Sequence, residues 1–255
     1  MQPRARQTAL WELKLFFKAE EDMQRQLGLR GQRDQDDTFG LIAAIAVAGV
    51  GMSSFLEAST LPPVVKVPLG AVCSLAPFLA LAAGVAVPQS LQGYATALRR
   101  LDPAYRRRQN YHEAGHLLVG HLIGLEVESF NAASADGAGA EVSFVSPLKA
   151  ARTHDVVDGL CVLAMAGVAA EVIACESAEG GYTDVAQLRG LLAAAEPPVT
   201  AARDVDDRIR WSTLMALTML QNNRGCLDAL ALKMPTATDV GECIRTLEAT
   251  DATER

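Results

Sequence analysis

Two long stretches without a charge constrain this chain more than any other feature. Phe39–Leu56 runs for 18 residues and Val67–Val87 for 21 with no Asp, Glu, Lys or Arg. About 20 apolar residues in a helix match the hydrocarbon thickness of a bilayer, and the first run sits at the lower end of that range. The link between them, Glu57–Lys66, is short and holds Pro62 and Pro63. Two such runs joined by a tight turn read as a transmembrane hairpin (39–56 and 67–87, within 39–88) rather than as two buried helices of a soluble domain. Pro68 and Pro77 are tolerable in membrane helices that have neighbours. The lipid bilayer is therefore the first expected partner. Lys66 is the lone base of the link, whereas Arg99, Arg100, Arg106, Arg107 and Arg108 follow the second run. The excess of positive charge at both ends places both on the cytoplasmic-type side.

Residues 1–38 form a polar N-terminal segment. A helical pattern crosses Ala9–Leu29 through Leu10, Leu13, Phe16, Phe17, Met23 and Leu27. Its polar face is not strongly basic, so it reads as an ordinary amphipathic helix. Glu12 and Glu20–Asp22 interrupt it, unlike a secretory signal or an acid-poor transit peptide. The net charge of −7 argues against a nucleic-acid partner. Five cysteines without a CxxC pair fit a reducing compartment. A basic linker, 89–110, leads to a soluble domain over 111–250.

That domain opens with YHEAGHLLVGHLIGL, Tyr111–Leu125, a helix by its apolar period. His112 and His116 stand four apart and project from one face, with Glu113 turned toward the same space. This is H-E-x-x-H: two imidazoles for Zn2+ and a carboxylate to take a proton from the water that the metal activates. His121 has no such partner pattern and is expected to be a packed or hydrogen-bonded histidine rather than a ligand. Two short strands, Glu126–Phe130 and Glu141–Val145, should follow around a Gly/Ala/Ser/Asp loop. Asp155–Cys175 is an apolar helix rich in small residues, with Glu171 as a lone acid. After a glycine turn, Glu179–Tyr182, either Thr183 or Asp184 can cap the next helix, which Pro197 and Pro198 stop. Further helices are expected over Ala202–Asn223, ended at Gly225, and Asp239–Leu247. A catalytic zinc takes three protein ligands, and by spacing alone Glu171 and Asp184 compete for the third place.

HEAGH, then AGVAAEVI (Ala166–Ile173), TDVAQL (Thr183–Leu188) and ALTMLQNNRGCLDALALKM (Ala216–Met234) occur in the order seen in FtsH-type membrane proteases. From about Asn110 to Leu247 the chain resembles the peptidase domain of that family. The resemblance implies a mainly α fold: a two-helix transmembrane hairpin followed by a helical, zincin-like peptidase domain with a small β-hairpin. It implies His112, His116 and Asp184 as zinc ligands, Glu113 as general base, and Glu171 as an acid that supports a ligand. The family's Pro-Arg-Gly segment has no counterpart in Ser129–Ala140, and no G-x-x-x-x-G-K-[ST] occurs anywhere. The expected function is a membrane-anchored zinc metalloendopeptidase that cuts peptide bonds of membrane or membrane-associated proteins without its own ATPase module. It would act alone or in an oligomer with FtsH-type ATPase proteases. The chain is similar to the ATPase-less FtsH-like proteins of plants and algae, which implies a plastid membrane with the peptidase domain on the stromal side. The alternative is an assembly partner of such proteases that keeps the fold and cuts little. An intramembrane protease of the site-2 type is disfavoured by the arginines before Tyr111, and Asp158 is a poor second acid for it.

Overall fold

The computed structural model describes residues 5–13, 16, 32–86, 99, 101–131, 141–149, 152–179 and 181–254. Contacts divide the chain into two units: Gly31–Arg99, and Met1–Arg30 together with Arg100–Arg255. The fold is mainly helical, and the one sheet among the described residues has two strands.

The smaller unit consists of helices α2, Gln32–Ala58, and α3, Pro63–Ala86. α2 extends beyond its uncharged run at both ends and begins inside the stretch assigned to the N-terminal segment, and α3 starts before its own run. Pro62 carbonyl accepts from Val65 and Lys66 amides and starts α3. Lys66 Nζ reaches back to the carbonyls of Glu57 and Ser59, placing a cation on the C-terminal end of α2. The helices approach closely at Gly49, where a Cβ would lie 2.6 Å from Cys73 O. Ser53 and Ser74 hydroxyls join them at 3.2 Å. Away from this seam Val47, Val64, Phe78 and Leu79 are exposed. Within α3, Pro63–Ala82 is long and apolar enough to cross a membrane, whereas the apolar part of α2, Ile42–Ala58, is shorter.

In the larger unit a short helix α1, Leu10–Leu13, buries Leu13 in the core. Of the helical pattern over Ala9–Leu29 these residues are described as helix; 17–31 lie outside the described residues. The amide of Ala5 donates to Asp158 Oδ2 at 3.1 Å. Ala5, Leu13 and Phe16 thus pack on the core of the larger unit.

Helix α4, Pro103–Leu122, begins eight residues before the expected start at Tyr111 and takes up part of the basic linker. Asp102 accepts from Ala104 N at 2.9 Å and Pro103 occupies the first turn, a strong helix start. At the other end Gly124, with φ +78°, lets its own amide reach His121 O and the Leu125 amide reach Gly120 O. That pair of bonds needs a left-handed residue, which glycine adopts without steric cost. Strands β1, Val127–Asn131, and β2, Glu141–Phe144, pair antiparallel with Phe130 opposite Val142.

The expected helix Asp155–Cys175 is two: α5, His154–Ala164, and α6, Ala166–Cys175, separated by Met165. The remaining helices are α7, Gly181–Ala193; α8, Ala202–Asn222; α9, Arg224–Lys233; and α10, Val240–Glu254. Gly225 does not end a helix; it lies in the first turn of α9. Asp184 lies in the first turn of α7 and does not cap it, because the helix already starts at Gly181.

The core forms where α4 meets α6. A Cβ on Gly115 would come within 2.6 Å of Ala166 O and Ala170 Cβ, so the two backbones touch. Leu117, Leu118, Trp211, Leu217 and Leu227 close the core around them. Each such side chain contributes about 1.5–3 kcal/mol by leaving water.

Candidate metal centre

Two adjacent turns of α4 set His112 and His116 side by side, with ring centroids 4.8 Å apart and planes at 72°. Their Nε2 atoms are 3.1 Å apart. Each ring is held from its other nitrogen. His112 Nδ1 lies 2.7 Å from Glu171 Oε1 on α6, and His116 Nδ1 lies 2.9 Å from Leu163 O on α5. A carbonyl can only accept, so Nδ1 of His116 carries the hydrogen and the neutral ring keeps its Nε2 lone pair for the shared space.

Asp184 completes the group from α7. Its Oδ2 is 3.7 Å from His112 Nε2, and one ligating atom from each of His112, His116 and Asp184 lies within 4.8 Å of the others. Donors about 2.0–2.1 Å from a tetrahedral zinc stand about 3.3 Å from one another, so the spacing of the two imidazoles suits such an ion. Two further observations fit a cation. Asp184 Oδ2 is buried and makes no hydrogen bond, a costly state for a carboxylate oxygen. Gly167 faces the rings: a Cβ there would lie 2.5 Å from His112 Cε1 and 2.6 Å from His116 Nε2. The residue with no side chain thus keeps the space around both ring nitrogens open.

The electrostatics of the side chains alone are strongly polarised. Burial opposes charge on His112, but the Glu171 hydrogen bond and the charges of Asp184, Glu171 and Glu113 outweigh it and carry the ring up to about 9. Burial, reinforced by the neighbouring His112, pushes His116 down to about 3. Burial lifts Asp184 to about 6 against the pull of His112. Glu171 is also opposed by burial, yet its bonds to His112, the Glu179 amide and Arg108 hold it below the usual carboxylate range. A site that concentrates three carboxylates on one imidazole favours a positive ion.

Glu113 Oε2 accepts the amide of Val142, at 3.3 Å, which brings the edge of β2 to the HExxH helix. Phe144 packs its ring on Gly120, where any larger residue would collide with it. Beside His116, between β2 and helices α5 and α7, lies a cavity of about 270 Å³ lined by Val142, Phe144, Leu160, Leu163 and Leu191.

The structure therefore brings together His112, His116, Asp184, Glu171 and Glu113. His121, expected to be packed or hydrogen-bonded rather than a ligand, is exposed at the end of α4 and is not part of the cluster. Asp158 is buried on α5 and paired with Arg208, away from these residues. Sequence reasoning missed three contributors: Gly167, the Leu163 carbonyl and Arg108. Gly167 was legible as one of a run of small residues, but that run signals close helix packing, not imidazole neighbours. Arg108 stands four before His112, hence on the same helical face, a signal masked by the arginines around it. No protein-family model matches the chain, and no curated protein matches its sequence.

Proposed function

We propose that this protein is a membrane-anchored zinc endopeptidase of the FtsH-like type that works without an ATPase module of its own. The observation that carries this reading is the convergence of two Nε2 atoms and an unbonded carboxylate oxygen beside Glu113. His112, His116 and Asp184 would hold the metal. When bound, zinc polarises a peptide carbonyl and lowers the pKa of water.

The remaining chemistry belongs to the chain. Glu113 takes a proton from the attacking water and passes it to the departing amine nitrogen. Glu171 and the Leu163 carbonyl keep both imidazoles aimed. Among the described residues β2 has β1 on one side and no strand on the other. A substrate extended along that free edge would lie against Glu113 and pair its backbone with β2. The cavity beside His116 has the lining for an apolar side chain. Without a motor, the accessible substrates are segments already unfolded. The anchor is the helical hairpin. Residues that precede and follow it in sequence belong to one compact unit, which supports an even number of membrane crossings.

The test uses the full chain in detergent with one equivalent of zinc and an unstructured reporter peptide carrying apolar residues. Glu113→Gln is expected to keep zinc and to lose cleavage by about 10²–10⁴-fold. Cleavage by this variant at the parental rate would remove Glu113 as the base. A well-folded parent that binds no zinc would end the enzyme reading and leave the non-cutting assembly partner.

A further inference from the structure

Arg106, Arg107 and Arg108 form a basic run, yet the third of them does not face solvent. Its side chain is 17% exposed and turns inward along α4. Nη1 donates to Glu171 Oε2 at 3.2 Å and also to the carbonyl of Ser177, while Nη2 reaches Ser177 Oγ at 3.4 Å. Nε lies 3.6 Å from Glu179 Oε1. The amide of Glu179 donates to the same Glu171 oxygen at 2.8 Å. One guanidinium thus joins the acid behind His112 to the turn that leads from α6 to α7, the helix of Asp184.

That turn has reason to need a clamp. Glu176 closes α6 at φ +62°, a left-handed conformation that an L side chain rarely adopts. Such residues persist where surrounding contacts determine them. Glu171 needs the same cation, because its side chain is 3% exposed and an unpaired carboxylate there is strongly disfavoured. The planar fork of arginine serves several acceptors in fixed directions, which a lysine ammonium does not reproduce.

We propose that Arg108 is a positioning residue of the metal centre: it fixes the Glu171 carboxylate against His112 and the turn that delivers Asp184. The inference rests on the zinc reading above. Arg108 touches no reacting group and acts through Glu171 and the turn.

The experiment measures zinc affinity of the full chain in detergent by competition with a chelator, together with thermal unfolding of each metal-free variant. Arg108→Met is expected to bind zinc about 10–100-fold more weakly, the usual size for loss of a group that supports a ligand. Arg108→Lys restores the charge but not the fork and should recover part of that loss. Glu171→Gln should weaken binding to a similar degree, and adding Arg108→Met to it should cost less than about threefold more, since the two act along one chain of contacts. A merely structural arginine would lower the melting temperature while leaving zinc affinity unchanged. That result overturns the proposal, as does a loss of affinity that multiplies with that of Glu171→Gln, which would mean that Arg108 does not act through Glu171. If Arg108→Met alone does not fold, Arg108→Lys, which keeps the charge beside the buried acid, decides: weaker zinc binding than the parent supports the proposal and parental affinity overturns it. A parent without zinc overturns the peptidase reading as well; a parent with zinc and an unaffected Arg108→Met overturns this inference alone.

Discussion

Two segments of this chain have nearly the same length and mean hydropathy and opposite surroundings. Pro63–Ala82 is 20 residues, and an 18-residue stretch of it averages 1.9 with 6% of its residues buried within the protein; His154–Cys175 is 22 residues, and the corresponding values for 18 of them are 2.0 and 72%. By composition either is long and apolar enough to cross a membrane. What separates them is the rest of their chemistry. His154–Cys175 carries Asp158 and Glu171, both buried and both answered by partners from other helices. Its Gly and Ala face lets α4 come into backbone contact. Pro63–Ala82 contains no acid, holds its lone lysine near the start, and turns Val64, Phe78 and Leu79 outward. Hydropathy therefore states that a segment needs apolar surroundings. Paired charges and small residues tell whether protein supplies them.

The contrast breaks most sharply with one carboxylate placed in each segment. Ala170 is fully buried against α4, whereas Leu75 is 56% exposed. Ala170→Asp should unfold the larger unit, since an unpaired buried carboxylate costs more than about 4 kcal/mol. Leu75→Asp should leave the melting of that unit unchanged but weaken membrane insertion by about 2.5–3.5 kcal/mol, read as release from membranes in an alkaline wash. If Leu75→Asp melts the larger unit instead, the hairpin is a protein-packed element and the distinction falls.

Glycines sharpen the comparison at a smaller scale. Gly167 lies against two imidazoles, while nothing stands within 4 Å of a Cβ built on Gly70. Gly167→Ala should displace the rings and lower zinc affinity by about 100-fold with helix content preserved. Gly70→Ala should leave zinc binding untouched and favour the helix by about 0.8–1 kcal/mol. Equal zinc affinity in the two variants would show that Gly167 is an ordinary packing glycine.

Much of this arrangement is legible in the residue order because its signals are local. A spacing of four puts His112 and His116 on one face whatever the rest of the chain does. Asp102-Pro103 and Gly124 are local signals as well, but the apolar pattern alone sets the helix at Tyr111–Leu125 and misses both of its true ends. The two uncharged runs and the two short strands are local in the same sense. The remainder depends on contacts across the sequence. Whether Asp184 or Glu171 faces the ring nitrogens is settled by how α6 and α7 sit against α4, and no spacing encodes that. The break at Met165 is a single residue inside an unbroken apolar pattern. Arg108 hides among like charges, and its inward turn follows from Glu171 and Ser177, both more than sixty positions away. The docking of Ala5 on Asp158 spans a still longer separation.

The smallest contrast concerns two serines. Ser212 is buried in α8 and its hydroxyl has no hydrogen-bond partner. Ser53 in α2 has one in Ser74. Removing an unsatisfied buried hydroxyl relieves its desolvation cost, so Ser212→Ala should stabilise the larger unit by about 1 kcal/mol, seen as a higher melting temperature. Removing a satisfied one between two apolar helices should do the reverse. The effect is modest, about 0.6 kcal/mol, because a hydroxyl in separated membrane helices finds other acceptors, such as the carbonyl one turn back. Ser54 already bonds Val50 O in that manner. A double-mutant cycle on the hairpin separates the contributions. If the Ser53–Ser74 bond joins the helices, Ser53→Ala, Ser74→Ala and the double variant should weaken their association to nearly the same extent. Additive losses would mean that each hydroxyl is answered within its own helix, leaving the close contact at Gly49 to hold the hairpin together.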